Sequence, residues 1–583
     1  MEPAAPSPEA IRQQLARISA SPEFKSTPRL REFLQFIGDE ALAGRAGQIK
    51  EYSIGMSVYR KGTSYDPRLD STVRVEAAKL RSRLDQYHER SGRHDPVRVS
   101  VPKGSYVPRF DVHPGDPEPL VVEDAASLPS IAVLPFQNLS SDAENEYFSD
   151  GLAEELTAAL TRTNKMRVAP RTAAFRFKTM NANLRDLGRT LNVDRVLEGS
   201  VSKDGNRLRI TVQLVDVAGS RQLWSQTYDR SLRDIFAIQE DIAREVVSLV
   251  CGSESSVLAV RRYTANAQAF EFYLRGQHLV DRWDLKAEQE ALGLFEQAIA
   301  ADPDYPLPYV GVAAALVCLT TMGFAAPVDL LPKANGALDR AIQLDPGSAE
   351  AHVTRATLIA RHEWDWAAAE REYRLAIQLA PGLARAHHEY ATELLAPNGR
   401  FEQAHAEVRR ARELDPFSPA VAYGYPWILI YQRRFWESEQ EFRRLLASAA
   451  VYEGERVGLA LPLLGQGKCR ESLDEYTKVV DTDPSPAHEC IHAWILALAG
   501  ETGEARRRLA DLEAESESRY VPPSHLASVH FALGDTDRGF EFMGRALAQK
   551  EHPLRSLKEG FDWDPIRPDP RFQALLRKLW PQM

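Results

Sequence analysis

STVRVEAAKLRSRLDQYH (71–88), followed after a short break by VRVSVPKGSYVPRF (97–110), decides how the start of this 583-residue chain is read. In the first segment Val73, Ala77, Leu80, Leu84 and Tyr87 recur at helical spacing and form one apolar stripe. Arg74, Lys79, Arg81 and Ser82 lie away from that stripe, with Arg83 on its flank. In the second segment Val97, Val99 and Val101 alternate with Arg98 and Ser100, which predicts a strand. Lys103-Gly104 predicts a two-residue turn, with Tyr106 and Phe110 on the return strand. Upstream, apolar spacing predicts helices over Pro8–Ala20 and Pro28–Ala43, Gln48–Val58 carries apolar Ile49, Ile54 and Val58 ahead of the basic helix, and residues 1–7 read as a disordered tip. RKGTSYDPRLD (60–70) reads as a loop, with Asp70 or Ser71 placed to cap the basic helix.

A basic helix followed by a hairpin with a basic tip is the layout of a winged helix, in which the helix enters the major groove and the wing touches backbone or minor groove. VRVEAAKLRSRL resembles the recognition helix of OmpR-type response-regulator effector domains. Val73, Val75, Leu80, Arg81 and Leu84 fall on that family's helix pattern, and Val99, Val101, Gly104 and Tyr106 approximate its wing. Where the family often places His and Arg, this chain has Glu76 and Ala78. The resemblance implies that Lys79 meets a base edge, Arg81 a phosphate, and Lys103 at the wing tip the backbone. Arg74 and Arg83 join the DNA-binding set from helix geometry alone. The ordinary alternative is a solvated face in which these arginines pair with Glu76 and Asp85.

Charge agrees with a nucleic-acid contact confined to the head. Residues 1–110 hold 19 Lys/Arg against 13 Asp/Glu, a net +6, while the whole chain is at −10. The four cysteines (Cys251, Cys318, Cys469, Cys490) are far apart and form neither a disulfide framework nor a zinc pattern, which fits a reducing cytosol. No signal-peptide pattern opens the chain, and the most apolar window, Val310–Leu319, is about half a membrane span. A cytoplasmic protein without membrane contact is expected.

DVHPGDPEPLVVEDAASLP (111–129) reads as a linker. Beyond it, SIAVLPF predicts a strand, Phe148–Leu160 a helix, MRVAPR a strand and Leu184–Leu191 a helix. Three strands then follow, turning at Asp204-Gly205 and near Gly219, and a helix over Ile235–Val250 closes the unit. On the middle strand Leu208, Ile210, Val212 and Leu214 share one side, and Val215 interrupts the polar side. SIAVLPFQNLS, FSDGLAEELTAAL and VLEGSV…RLRITVQLVD…LWSQTYDR resemble the amino-terminal domain of TolB-like proteins. That resemblance implies a non-catalytic α/β module used in protein assemblies.

From residue 265 small and large apolar residues recur at a fixed offset. Ala291/Phe295/Ala298/Pro303, Ala334/Leu338/Ala341/Pro346, Ala369/Tyr373/Ala376/Pro381 and Ala404/Val408/Ala411/Pro416 are clear. Ser438/Phe442/Leu445, Ser472/Tyr476/Val479, Ala505/Leu509/Leu512 and Met543/Ala546 are looser. The prolines step by 43, 35 and 35 residues, and the long step predicts an insertion around Gly323–Leu331. The series resembles the tetratricopeptide repeat, Ala-x3-Phe-x2-Ala with Pro five residues on. The helix Arg571–Leu579 and the terminal WPQM read as a cap.

The expected fold is multidomain α+β: a winged helix over 8–110, a linker over 111–129, a TolB-like α/β domain over 130–250, and an all-α tetratricopeptide superhelix of about eight repeats over 265–583. No Walker loop, dinucleotide glycine motif, HExxH or Gly-x-Ser-x-Gly elbow is present in the sequence. His387-His388, Trp364/Trp366 and Asp150/Glu154/Glu155 have ordinary structural readings as helix packing, repeat-turn packing and a helix N-terminus. The expectation is therefore a non-enzymatic, bacterial-type regulator without catalytic residues, cofactor or metal. Its head binds double-stranded DNA and its repeats bind a protein or peptide. The alternative is a protein scaffold whose winged helix does not read DNA.

Overall fold

The computed structural model describes residues 8–25, 27–62, 65–66, 70–89, 92, 95, 97–102, 104–112, 128–140, 142, 145–161, 163, 165–179, 183–252, 263–280, 285–447 and 453–581. Residues 1–7, Lys103, most of the expected linker (113–127) and the last two residues of WPQM lie outside them. The chain packs as two compact units, Met1–Ser127 and Leu128–Met583.

The first unit holds helices α1 (Pro8–Ala20), α2 (Pro22–Lys25), α3 (Pro28–Leu42), α4 (Glu51–Ser57) and α5 (Thr72–Glu89), then the antiparallel strands β1 (Val97–Ser100) and β2 (Arg109–Val112). The whole apolar stripe of α5 is buried, against Leu15, Phe33, Leu34, Ile37, Ile54, Val97 and Val99. Asp70 starts α5: its Oδ1 accepts from the Thr72 amide at 2.9 Å, and its Oδ2 accepts from Lys61 Nζ at 2.8 Å. The Lys61 bond and the Thr72 bonds hold this carboxyl well below the usual range.

The expected two-residue hairpin is corrected. The return strand begins only at Arg109, in register Val99↔Phe110 and Ser100↔Arg109, so the connection spans 101–108. Pro102 and Pro108 have no N–H to give to a ladder, which keeps the strands apart there. A turn forms inside the connection instead, with Gly104 at φ +83° and the Ser105 amide on Pro102 O at 3.1 Å. Tyr106 therefore lies in the connection, not on the strand; Phe110 is on the strand.

The second unit opens with a six-stranded sheet. Its strands are β3 (Ser130–Val133), β4 (Gln137–Asn138), β5 (Arg167–Val168), β6 (Arg195–Asp204), β7 (Arg207–Asp216) and β8 (Arg221–Ser231). The order is β5-β3-β6-β7-β8, with β4 also on β6. β3 is parallel to both neighbours, and β6-β7-β8 is an antiparallel meander. Helices α6 (Glu146–Thr161) and α9 (Ile235–Cys251) share one core with Leu208, Ile210, Val212 and Leu214. α7 (Arg171–Phe175) and α8 (Leu184–Leu191) join a second core with Ala132 and Val196. The pairing of β7 with β8 slips between Leu214 and Val215, and Val215 is buried, which accounts for its break in the alternation.

The array consists of eight helix pairs among the described residues: α10 (Ala267–Val280)/α11 (Leu285–Ala301), α12 (Pro306–Thr321)/α13 (Pro327–Leu344), α14 (Ala349–Leu358)/α15 (Trp366–Leu379), α16 (Ala384–Glu389)/α17 (Phe401–Leu414), α18 (Pro419–Tyr431)/α19 (Phe435–Leu446), α20 (Glu453–Gly465)/α21 (Cys469–Thr482), α22 (Pro486–Leu498)/α23 (Thr502–Glu515) and α24 (Pro523–Ala532)/α25 (Thr536–Ala548). Each small-large-small signature lies on a second helix, and Ala291, Ala334, Ala369, Ala404 and Ala505 are buried. Where Ser replaces Ala, the hydroxyl donates to a carbonyl of the preceding helix: Ser438 to Pro426 O (2.9 Å) and Ser472 to Ala460 O (2.8 Å). α14 and α16 each run on into a π turn, Ile359–Glu363 and Tyr390–Leu395.

Sheet and array share one core, which runs from Phe148 and Ile238 into Phe270, Tyr273, Leu274 and Phe295 of the first repeat. A Cβ on Gly151 of α6 would lie 2.7 Å from a terminal methyl of Leu274, so any side chain there would make Leu274 shift. Lys203 Nζ meets Glu271 at 2.5 Å across the same junction. The sheet side also reaches the turn after the fourth repeat, where Thr172 donates to Asp415 and the Arg176 guanidinium lies 5.0 Å from the Phe417 ring.

The array closes on itself. Gly323 abuts Pro522 and Ala487, at 2.7 and 3.0 Å from where a Cβ would stand. Segment 549–581, including α26 (Pro570–Leu579), returns to the third through fifth repeats. Trp580 stacks on Trp366 at 5.2 Å and donates to Asn398 Oδ1 at 2.7 Å. Arg433 pairs with Asp564 at 2.9 Å. At the centre the buried Glu393 accepts from Arg361 at 3.0 and 2.9 Å and from Arg555 at 3.0 Å.

Burial alone would raise the Glu393 pKa; the two guanidiniums outweigh it and hold the carboxyl well below its usual value. A depressed folded pKa gives stability that is present above the unfolded value and lost as pH falls. Glu393→Gln strands two guanidiniums and is expected to cost about 3–5 kcal/mol in denaturant unfolding at neutral pH. The gap from wild type should shrink as pH drops below about 4.3, the unfolded carboxyl value. A constant gap across that range would contradict the ionic account.

Candidate nucleic-acid interface

α5 is fixed at both ends. Beyond the Asp70 cap, His88 Nε2 meets the Val99 amide at 3.2 Å and Val99 O at 3.1 Å, tying the last turn to β1. Asp95 accepts from Tyr87 and from Gln14 (2.5 Å) and faces Arg17 at 3.5 Å, pinning the stretch after α5 to α1. Burial, followed by the Asp95 contact, raises the Tyr87 hydroxyl far above its ordinary range.

The expected DNA-binding residues separate into three groups. Arg74 and Lys79 are exposed on α5, with Arg74 on Glu51 at 3.1 Å and Lys79 on Glu76 at 2.8 Å. Arg81 and Arg83 are half-buried and donate to main-chain carbonyls. Arg81 reaches Val101 O (2.9 Å), Pro102 O (3.2 Å) and Ser105 O (3.0 Å), and Arg83 reaches Glu23 O (3.1 Å). Lys103 lies outside the described residues. Arg81 thus braces the connection between β1 and β2, with its Nε and Nη2 donors directed at that loop.

Two cations were missed by sequence reasoning. Arg98 and Arg109 are exposed on the ribbon, and neither side chain has a hydrogen-bond or ion-pair partner among the described residues. The alternation along β1 carried the signal for Arg98. Arg109 needed the pairing register, which sets it opposite Ser100.

The other candidate clusters are structural. His387 bridges Glu407 (2.6 Å) and Pro381 O (3.2 Å). His352, one repeat earlier, bridges Glu372 (2.6 Å) and Pro346 O (3.1 Å) in the same way. Asp150 takes Lys178 at 2.6 Å and Glu154 pairs with Arg171. Trp364 donates to Arg361 O (3.1 Å) and Trp366 to Leu579 O (2.9 Å).

A family described as "HilA/YgeH-like transcriptional regulator, second domain" matches residues 126–245, the sheet module. A Rhizobium meliloti (strain 1021) protein named "Putative adenylate cyclase 3" is 31% identical over 238 residues, 40% of this chain and 40% of that protein's length. A tetratricopeptide repeat protein from Parabacteroides merdae is 16% identical, covering 46% of this chain and 99% of its own, with TM-score 0.32. TolB from Acinetobacter baumannii is 18% identical, covering 21% of this chain and 29% of its own, with TM-score 0.17. The family match and the helical repeats support a regulatory or protein-interaction role. Among the described residues no helix is long and apolar enough to cross a membrane.

Arg81→Ala leaves three carbonyls without their charged donor. It is expected to lose about 2 kcal/mol of local stability, read as faster amide exchange across 97–112 in the full chain. Lys79→Ala, which removes only an exposed ion pair, should leave that exchange unchanged.

Proposed function

We propose that this chain is a non-enzymatic, cytoplasmic transcriptional regulator whose first unit is a winged helix that binds duplex DNA. α5 enters the major groove with Arg74 and Lys79, while Arg98, Arg109 and Lys103 meet the backbone from the ribbon. Arg81 and Arg83 act as positioning residues that hold the loop and α2 against the helix. The observation carrying this reading is the exposed face of α5: Arg74, Val75, Ala78, Lys79 and Ser82 lie together, two cations among small or apolar side chains. Val75 is 49% exposed, an apolar surface suited to a thymine methyl. The description of the matching family as a transcriptional regulator supports the same reading. The sheet module is a TolB-like, non-catalytic unit, and the repeats take a partner protein as input. Segment 549–581 already covers part of the third to fifth repeats, so that partner uses the remaining surface or displaces the segment.

One observation favours a scaffold instead: Arg74 and Lys79 are each matched by a glutamate. A salt series on duplex binding by the full chain separates the two. A DNA reader loses about 0.9 log units of affinity per log unit of salt for each phosphate neutralised. The double variant Arg98→Ala/Arg109→Ala should lower that slope by about 2, one unit per lost phosphate contact. Binding that ignores salt, or no binding, would leave the scaffold.

A further inference from the structure

Where the array closes, several polar side chains have no partner among the described residues. The turn His552–Ser556 packs near the π turn Ile359–Glu363: His362 Nδ1 lies 2.8 Å from Lys550 O, and Arg361 shares Glu393 with Arg555. Arg361 directs its guanidinium at Glu393 and at Thr321 (3.1 Å). Arg555 gives only Nε to Glu393, and its two terminal nitrogens have no partner among the described residues. The His552 ring and the Tyr423 and Tyr431 hydroxyls likewise have none, and all three residues are half-buried rather than sealed. His388, 7% exposed and set against the Tyr423 ring at 5.6 Å, has a buried Nδ1 without a hydrogen-bond partner among the described residues.

These groups are nonetheless withdrawn from bulk water. Burial pushes Tyr423 and Tyr431 up to about 12. Burial also drives His552 well down, helped by Arg555, Arg361, His362 and His525. The surrounding acids do not cancel the cations. Glu393 sits between two guanidiniums, and Glu389 is tied to Arg385 at 2.7 Å. Asp562, raised by burial to about 6, has the cations of Arg433 and Arg567 beside it. Two consecutive first helices depart from α geometry here, and their π turns supply Arg361 and Glu393, a distortion that recurs at functional sites.

We propose that this closure point binds a small oxyanion, a phosphate or carboxylate group, held by the outer edge of Arg555 and by His552 with the Tyr423 and Tyr431 hydroxyls donating. A guanidinium edge with two parallel N–H groups matches such an anion, and tyrosine hydroxyls, protonated at neutral pH, add neutral donors. Binding draws a proton onto His552. The site also couples to closure, because Arg555 belongs to the returning segment and Glu393 to the fourth repeat. The proposal goes beyond DNA binding and does not rest on it.

The test is thermal melting of the full chain near neutral pH with inorganic phosphate or with citrate, against sodium chloride matched for ionic strength. A rise of several degrees with either anion over the matched salt is expected; phosphate alone points to a phosphate ester and citrate alone to a carboxylate. His552→Gln removes a ring that holds no hydrogen bond, so it should keep the anion-free melting temperature and lose the rise. Arg555→Gln should lose the rise as well. No rise over matched salt with either anion, or an undiminished rise in His552→Gln, overturns the proposal.

Discussion

The ion cluster around Glu393 is the contact on which the closed array depends. A carboxylate at this depth is tolerable only with two guanidiniums on it, and those arrive from different parts of the chain. Arg361 comes from the third repeat and Arg555 from beyond the last. The same carboxylate therefore satisfies a local electrostatic requirement and joins residues 162 positions apart in sequence. Gly323, Trp366 and Asn398 add shape and hydrogen bonds to a closure whose charge balance is set there.

Much of this organisation was legible in the residues. Period and composition located α5, the β6-β7 meander and every second helix of the array, because burial on one face leaves a periodic trace. The tight turn at Lys103-Gly104 was misread, since Gly104 does mark a turn but the flanking prolines deny it a ladder. The contact between the sheet and the first repeat left no periodic signal. It rests on single residues, Gly151, Lys203 and Glu271, that look unremarkable alone.

The candidate interface was legible in part. Helical spacing separated the buried stripe of α5 from its polar face correctly. It could not tell an arginine that faces solvent from one that folds back onto carbonyls, because Arg74 and Arg81 look alike in sequence. Their difference comes from the loop 101–105, whose carbonyls sit beside Arg81 only after the ribbon has formed. The closure point was invisible for the same reason. His552 and Arg555 follow the last repeat, in a stretch with no period, and gain meaning only beside Arg361 and Glu393.

Among the described residues the sheet module touches the array at two places, the first repeat and the turn holding Asp415 and Phe417. A coil clamped to a rigid block at two of its turns cannot lengthen or unwind between those clamps without shearing one of them. The first four repeats consequently behave as a splinted segment. Whatever compliance the coil retains is concentrated in its later turns, beyond the fourth repeat.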